Sequence, residues 1–394
     1  MLKRVRTHRN SASSYLPNHI VKLVRGGLEY FDLLEKLIAN AQSSIHFQFY
    51  ILEDDETGRR IVKALKEAAL RRVRIYVLLD GYASKNLPDE FIDSLRSAGI
   101  NFRMFEPILK SKNFYFGRRL HHKVVVTDSW HCLVGGLNIS DRYNDTVENR
   151  AWLDWALFAE GPVGSVLEKV CERRFKSKIP FTLEGLEAIP LPHSLSEKDC
   201  DIRVRTNDWV GRKWEISNSY LEMLSTATSQ ITIMSPYFLP GDIFRRRIKQ
   251  AIKRGVAIKV ILAGISDIAL SKYAERYMYR WLLRNKVTIY EYQKTVLHGK
   301  MAVCDSGWVT IGSYNLNNLS AYASIELNLD VKSPAFARMV QIQLNEIIEM
   351  DCKSISEEDY DRNTGVLEHV LQKLAYTMLR VILFLFTFYF KQKE

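Results

Sequence analysis

Two short stretches of the chain carry, at one spacing, the residue types that phosphate chemistry uses. Residues 121–138 read HHKVVVTDSWHCLVGGLN and residues 298–315 read HGKMAVCDSGWVTIGSYN. An offset of 177 superposes His121 on His298, Lys123 on Lys300, Asp128 on Asp305, Gly135 on Gly312 and Asn138 on Asn315 without a gap. The shared pattern is H-x-K-x4-D-x6-G-[GS]-x-N. Histidine is a nucleophile or an acid near neutral pH, lysine neutralises nonbridging phosphate oxygens, and the asparagine amide donates a hydrogen bond to them. Asp128 and Asp305 complete the catalytic set by position, with bracing of the turn as their expected part. Ser313 adds a hydroxyl donor beside Asn315. A lone H-x-K carries almost no information. Five fixed positions recur by chance on the order of once per million starts, so two copies in one chain are a signal.

On a strand, residues i and i+2 share a face, so each His–Lys pair is expected to project together. The glycines admit a turn at positive φ or a close backbone approach that returns Asn to the same place. Each imidazole also needs an acceptor on its other nitrogen. Asp154 is the only charge in AWLDWALFA (151–159), and Glu326 alternates with Ile325 and Leu327 in SIELNL (324–329). A carboxylate on an apolar strand needs a partner. Glu148 rivals Asp154, because the offset of 177 carries it to position 325.

The flanks that must position these residues repeat as well. SSIHFQFYIL (43–52) reads as a strand, followed by a helical pattern to Leu70 and the strand VRIYVLLDG (73–81). SQITIMSPYFL (229–239) is likewise followed by a helical pattern to Lys253 and then VAIKVILAG (256–264). Each half reads strand, helix, strand and later a motif strand, which is an α/β pattern. IPLPHSLSEKDC (189–200) interrupts the periodicity, so the expected domains are 1–195 and 196–363, with a separate tail at 364–394. Within that tail LAYTMLRVILFLFTFYF (374–390) holds one charge, Arg380. As a helix it is about 25 Å long, short of a usual span. It is expected to lie in a membrane interface or to form a short anchor; the alternative is a helix or strand packed on the domain.

Of the 394 residues, 47% are hydrophobic and 26% charged, which excludes disorder, collagen and coiled coil for the whole chain. The net charge of +11 favours anionic partners. The five cysteines, Cys132, Cys171, Cys200, Cys304 and Cys352, are odd in number and contain no CxxC, which argues against a disulfide framework and a zinc site and fits a reducing cytoplasmic setting. The basic N-terminus lacks an apolar stretch behind its charges, so no secretion signal is read there.

Both copies resemble the HKD motif of the phospholipase D superfamily. Within it, FYILEDDETGRRI (49–61), LLDGYAS (78–84), DEF (89–91), GGLNISDRY (135–143) and RNKVTIYEYQKTVLHGK (284–300) resemble bacterial cardiolipin synthases, especially the shorter ones without N-terminal membrane helices. The resemblance covers nearly the whole chain. It implies two similar α/β/α domains with mixed sheets, related by a pseudo-twofold axis, with one active site at their interface. It implies a ping-pong reaction through a phosphohistidine, with no metal and no cofactor. His121 is then the nucleophile and His298 the acid and base. By family position, Asp154 would orient His121 and Glu326 would orient His298. The implied partner is an anionic phospholipid in a bilayer rather than nucleic acid, and the implied location is the cytoplasmic face of the cell membrane, peripheral or C-terminally anchored. FYFGRRLHH (114–122) is read as a guide for an anionic headgroup, RRRIKQAIKR (245–254) as a solvated helix face, and His122 and His131 as structural.

Overall fold

The computed structural model describes residues 14–107, 118–147, 150–176, 196–317, 320–321 and 324–391, without side chains for 363 and 383–391. The first half runs β1 (Leu16–Arg25), α1 (Leu28–Asn40), β2 (Ser44–Phe49), α2 (Glu56–Leu70), β3 (Arg74–Asp80), α3 (Asp89–Ser97), β4 (Asn101–Phe105), the short β5 (Arg119–Leu120), β6 (Lys123–Thr127), β7 (His131–Gly135), β8 (Trp155–Glu160) and α4 (Val163–Phe175). The second runs β9 (Ser196–Asp208), β10 (Lys213–Trp214), α5 (Glu215–Thr226), β11 (Gln230–Met234), α6 (Asp242–Lys253), β12 (Ala257–Ala263), α7 (Ala269–Arg284), β13 (Thr288–Tyr292), β14 (Met301–Cys304), β15 (Trp308–Gly312), β16 (Ser324–Lys332) and α8 (Pro334–Asp351). β17 (Cys352–Ile355), α9 (Glu357–Asn363) and α10 (Val366–Lys391) follow.

Strand order makes the repeat physical. The first half pairs as β4-β3-β2-β6-β7-β8-β1, parallel among β2, β3 and β4 and antiparallel elsewhere. The second pairs as β13-β12-β11-β14-β15-β16-β9 with the same parallel and antiparallel steps, and β17 is added on β13. β1 and β9 join antiparallel, so the two mixed sheets are continuous and a pseudo-dyad falls between those strands. The architecture is α/β, as the strand-helix alternation predicts.

The motif strands β6 and β14 lie mid-sheet, and every residue of both is buried. Their apolar runs are covered on two faces, as near-continuous hydrophobic strands require. In the first half α1 and α2 cover one face through Phe31, Leu34, Ile61 and Leu65. In the second, α5, α6 and α7 do so through Ile216, Tyr220, Ile248 and Met278. On the other side α4 and α8 share one core with strands of both halves, including Val124, Val126, Val303, Leu167 and Phe336. Truncating Leu34, Ile61, Leu65, Ile216, Ile248, Met278 or Leu167 to Ala costs about 2–5 kcal/mol, and the core shared by both halves packs the two motif strands together.

The apolar tail begins as a domain element. α10 packs on α7, where Tyr277 meets the rings of His369 and Tyr376 at 5.5 and 5.0 Å, and the buried Gln372 accepts the Tyr360 hydroxyl at 2.7 Å. Its opposite face exposes Leu367, Leu371, Leu374, Met378 and Val381. No helix among the described residues is long and apolar enough to cross a membrane.

Candidate active site

Each motif histidine is stitched by backbone onto the opposite half. β5 pairs in parallel with β16, and the His121 N–H donates to the Ile325 carbonyl at 2.9 Å. On the other side of the dyad the N–H groups of His298 and Gly299 donate to the Leu153 carbonyl at 2.7 and 3.0 Å, and the Leu153 N–H donates to Val296 at 2.9 Å. The side chains follow the backbone. His121 Nδ1 lies 2.8 Å from Glu326 Oε2, and His298 Nδ1 lies 2.6 Å from Asp154 Oδ2. The expected pairing, Asp154 with His121 and Glu326 with His298, is therefore reversed: the strand that delivers each histidine adds to the other half's carboxylate strand.

The carboxylates are symmetry equivalents at a different offset from the motifs. Gly135 pairs with Ala156 and Gly312 with Asn328, so beyond the motif the halves align at an offset of 172, which carries Asp154 onto Glu326. The connection after Asn315 is five residues shorter than that after Asn138. The offset of 177 that made Glu148 a rival does not hold there; Glu148 itself lies outside the described residues.

The motif glycines serve close approach rather than positive φ. A Cβ on Gly136 would sit 2.3 Å from Asp154 Oδ1, and one on Gly312 would sit 2.3 Å from the Leu327 carbonyl oxygen. At the position equivalent to Gly136, the Ser313 hydroxyl donates to Glu326 Oε2 at 2.5 Å. Ser324 donates to the other Glu326 oxygen at 2.8 Å. Asp154 Oδ1 accepts the Trp155 N–H at 2.7 Å.

Lys123 and Lys300 are buried behind the histidines rather than in the cavity wall. Lys123 Nζ donates to the His121 carbonyl at 3.0 Å, while Lys300 Nζ donates to the His298 carbonyl and lies 2.9 Å from His298 Nδ1. Asn138 donates to the Tyr143 hydroxyl at 2.8 Å, and that hydroxyl lies 3.5 Å from His298 Nε2. The Asn315 N–H donates to Ser320 Oγ at 3.3 Å. Asp128 and Asp305 stand at the far ends of β6 and β14, at φ 53 and 49, and bind backbone N–H groups; neither lines the cavity. They brace turns, as position in the strand dictates.

Both histidines, both asparagines and Glu326 face one cavity of about 370 Å³. The aromatic rings of Tyr50, Tyr143, Trp152 and Tyr237 form much of its wall, and Leu379 of α10 reaches it. Arg119, Arg142 and Asp267 contribute charge. Arg119 comes from the expected guiding segment; residues 114–117 of that segment lie outside the described residues, and Arg118 is engaged with Asp208 at 2.9 Å. The sequence reading missed Tyr50, Tyr143, Arg142, Tyr237 and Asp267. Tyr143 and Arg142 were visible in GGLNISDRY, but nothing in spacing alone distinguishes a pocket tyrosine from a core one. His122 is buried against Gln48 at 3.3 Å and burial pushes it down to about 3, consistent with a structural role. Among the described residues no group of three or more metal-type ligands gathers.

Burial dominates the electrostatics. It pushes the Asp154 carboxyl up to about 7, against the pull of Lys300. It also acts on Glu326, but there His121, Lys123 and the Ser313 hydroxyl outweigh it and hold the carboxyl below its ordinary range. Burial lowers His121, with Glu326 opposing, and lowers His298 strongly, with Lys300 and Lys123 adding to the effect. Lys123 is held well below its ordinary value, and Lys300 falls to about 8. Two histidines face the cavity with two lysines behind them, so an anion bound there would raise all four. Two imidazoles, each with an oriented Nδ1, can then act as nucleophile and as acid on one phosphorus.

The family described as "Cardiolipin synthase, PLD-like domain" matches residues 34–156 and 220–348. The chain is 32% identical over 347 residues to a cardiolipin synthase B of Salmonella typhi, covering 87% of this chain and 84% of that protein. It is 29% identical to a cardiolipin synthase A of Pseudomonas fluorescens, covering 91% of this chain and 74% of the relative. In fold it is similar to the crystal structure of a phosphatidylserine synthase from Haemophilus influenzae, with a TM-score of 0.71 at 14% identity over 93% of this chain and 95% of that one.

Proposed function

The chain belongs to the phospholipase D-like family of cardiolipin synthases, and from that premise we propose that it moves a phosphatidyl group from one phosphatidylglycerol to the hydroxyl of another, giving cardiolipin and glycerol. It is a phosphatidyltransferase of the phospholipase D type. One observation carries the site: two crossed histidine–carboxylate pairs face a single cavity lined by aromatic rings.

In the first displacement His121 Nε2 attacks phosphorus, the bond to the glycerol oxygen breaks, and His298 gives that oxygen its proton. In the second, the acceptor hydroxyl passes its proton to His298, its oxygen attacks phosphorus, and the nitrogen–phosphorus bond breaks. The diester energy is conserved, so no nucleotide is consumed. Lys123 and Lys300 carry the charge that stabilises the phosphoryl oxygens, with Asn138 and Asn315 as donors. The assignment of His121 as nucleophile rests on its carboxylate. Glu326 is a fixed anion, held by two hydroxyls and below its usual range, and suits an imidazole that stays positive as a phosphohistidine. Asp154, close to neutrality, suits an imidazole that gains and loses a proton in each turnover.

The substrate is confined to a bilayer, and the exposed apolar face of α10 fits a membrane surface on the cytoplasmic side. Leu367 is 74% exposed and Leu374 60%. The basic helix α6 lies beside it, with Arg245 close to Tyr376 and Leu379. Truncation at Leu374 would uncover the α7 contact, so the outer face is better tested by charge: L374E with M378E is expected to reduce binding to phosphatidylglycerol vesicles while activity on detergent-dispersed lipid survives.

The function is tested by incubating purified protein with headgroup-labelled phosphatidylglycerol vesicles and analysing every lipid product by mass. Cardiolipin with equimolar released glycerol is expected. Phosphatidic acid as the only product, or cleavage of nucleic acid with no lipid turnover, would overturn the reading.

A further inference from the structure

One wall of the cavity carries a carboxylate that neither motif supplies. Asp267 lies in the loop between β12 and α7 and faces the same cavity as both histidines. The Tyr237 hydroxyl donates to its Oδ1 at 2.5 Å. Among the described residues it has no ion-pair partner, although Arg119 and Arg142 line the same cavity. A carboxylate near a phosphodiester is repulsive, so Asp267 must be offset by groups it attracts: His298 and Lys300, which its field reaches, and a hydrogen-bond donor on a ligand that enters the cavity.

The pair is held in place by a buried network that the two displacements leave unused. The Tyr237 carbonyl accepts the Asn317 amide at 3.3 Å, and the next residue, Phe238, donates its N–H to Glu275 Oε2 at 3.0 Å. Glu275 is buried on α7 with Lys272 and Tyr279. Lys272 Nζ also donates to the Ala263 carbonyl at 2.5 Å and to Glu291 at 2.7 Å. This cluster ties together the end of β12, the start of α7 and the loop after β11, the segments from which Asp267 and Tyr237 project.

The described residues of the first half have no such feature. Aligning Gly81 with Gly264 places Ser84 opposite Asp267, and the carboxylate of that half, Asp80, is turned inward onto the N–H groups of Tyr82, Ala83 and Leu120. The two arginines of the cavity are each paired with a carboxylate of the first half, Arg119 with Asp80 and Arg142 with Glu53, whereas Asp267 faces the cavity without a cation and its field reaches His298 and Lys300. His298 is the group that handles the alcohol proton in the function proposed above, on which this inference rests.

We propose that Asp267, braced by Tyr237, accepts a hydrogen bond from the hydroxyl next to the reacting one, so that the site selects a glycerol-type diol over a simple alcohol or water. The reacting hydroxyl loses its proton to His298 as its oxygen bonds to phosphorus; the neighbouring hydroxyl keeps its proton and only donates. An ammonium is disfavoured in this position because Arg119 and Arg142 share the cavity with both histidines, and Lys123 and Lys300 lie behind the histidines.

The test is a partition experiment, which reads only the second displacement because every acceptor competes for one phosphoenzyme. Purified protein, phosphatidylglycerol vesicles and an equimolar mixture of deuterated glycerol, ethanol and ethanolamine are incubated, and the phosphatidyl products are counted by mass. Wild type is expected to favour deuterated phosphatidylglycerol. D267A should lower the glycerol-to-ethanol ratio by about tenfold or more, the scale of losing a hydrogen bond to a charged group, and Y237F by less. An unchanged ratio in D267A, even with reduced turnover, would overturn the selection role while leaving the function intact. A wild-type preference for ethanolamine would overturn the diol assignment. No phosphatidyl transfer to any alcohol would overturn the function and this inference with it.

Discussion

The two halves of the site share a motif and differ in how they hold it. On one side of the dyad Glu326 takes hydroxyls from Ser313 and Ser324 and stays below its ordinary range. On the other, Gly136 replaces the serine, its missing Cβ makes room for Asp154, and burial pushes that carboxyl up to about 7. The two copies thus separate a carboxyl held below its ordinary range by His121, Lys123 and hydroxyl donors from one that burial raises, and Gly136 against Ser313 is one of the differences between them. Sequence symmetry does not imply chemical symmetry: a repeat can place identical histidines in unlike fields, and two displacements need such unlike fields.

The largest effect that would break this comparison is at the histidines. H121A is expected to abolish both half-reactions, a loss of about 10⁴-fold or more, because it removes the imidazole assigned as nucleophile and leaves His298 only its proton-transfer role. H298A should lose about 10²–10⁴-fold with phosphatidylglycerol, yet form the covalent adduct readily from a donor with a nitrophenol leaving group, which needs no proton. Quench-flow with labelled donor distinguishes them. An adduct on His298, with H121A retaining the nitrophenol burst, would exchange the two roles.

The carboxylates come next. E326Q and D154N should each reduce turnover by up to about 10⁴-fold, the scale of replacing an orienting carboxylate by its amide. The crossed pairing makes a sharper claim. In ¹⁵N-histidine spectra E326Q should perturb His121 and leave His298 nearly unmoved, and D154N should do the reverse. The opposite pattern would restore pairing within each half.

A smaller effect is the pH profile of kcat/KM. Asp154 must be ionised to hold His298, so activity should fall as pH drops below about 7. Lys300 must stay protonated, so activity should fall as pH rises above about 8. D154N should remove the acid limb, whereas E326Q should leave it, because Glu326 titrates below its ordinary range. K300R, always charged, should move the alkaline limb upward. An acid limb that survives D154N would assign it elsewhere.

How much of this was legible follows from the kind of interaction involved. The α/β architecture, the twofold repeat and the paired motif residues from His121 to Asn315 lie in local periodicity and spacing, which a chain carries on its surface. The carboxylates Asp154 and Glu326 were legible as residues, because a lone charge in an apolar strand can be buried only against a partner. Those partners were not, because the crossing depends on β5 adding to β16 and on Leu153 meeting His298, contacts between segments far apart in sequence. Tyr237 and Asp267 were hidden for the same reason: they meet the site through loops after β11 and β12 whose composition resembles any other loop. The tail was read as a unit, yet Tyr376, Gln372 and Leu379 turn one face inward, a distinction set by the aromatic surface of α7.

The smallest effect concerns the motif aspartates, which the chemistry is expected to ignore. Asp128 takes the N–H groups of Gln42, Ser43 and Ser44 at 2.9, 2.7 and 2.9 Å, and Asp305 takes those of Thr228, Ser229 and Gln230 at 2.7, 2.8 and 2.8 Å. Each closes the turn after its motif strand onto the start of the neighbouring β2 or β11. Asp128 is only 5% exposed, whereas water reaches Asp305. D128A therefore strands its donors away from solvent and should cost about 2–4 kcal/mol, while D305A should cost about 1–2 kcal/mol. Burial raises the Asp305 carboxyl, but the three donors outweigh it and bring it from 3.8 to about 2. A depressed carboxyl stabilises the fold above its unfolded value and loses that contribution as pH falls, so the stability gap between wild type and D305A should close between about pH 4 and pH 2. Urea titrations across that window measure it. Turnover per folded molecule at neutral pH should stay within about twofold of wild type for both variants, because both carboxylates sit at the ends of their strands remote from the histidines. A folded D305A that lost a hundredfold in turnover would instead put the third motif residue into the chemistry.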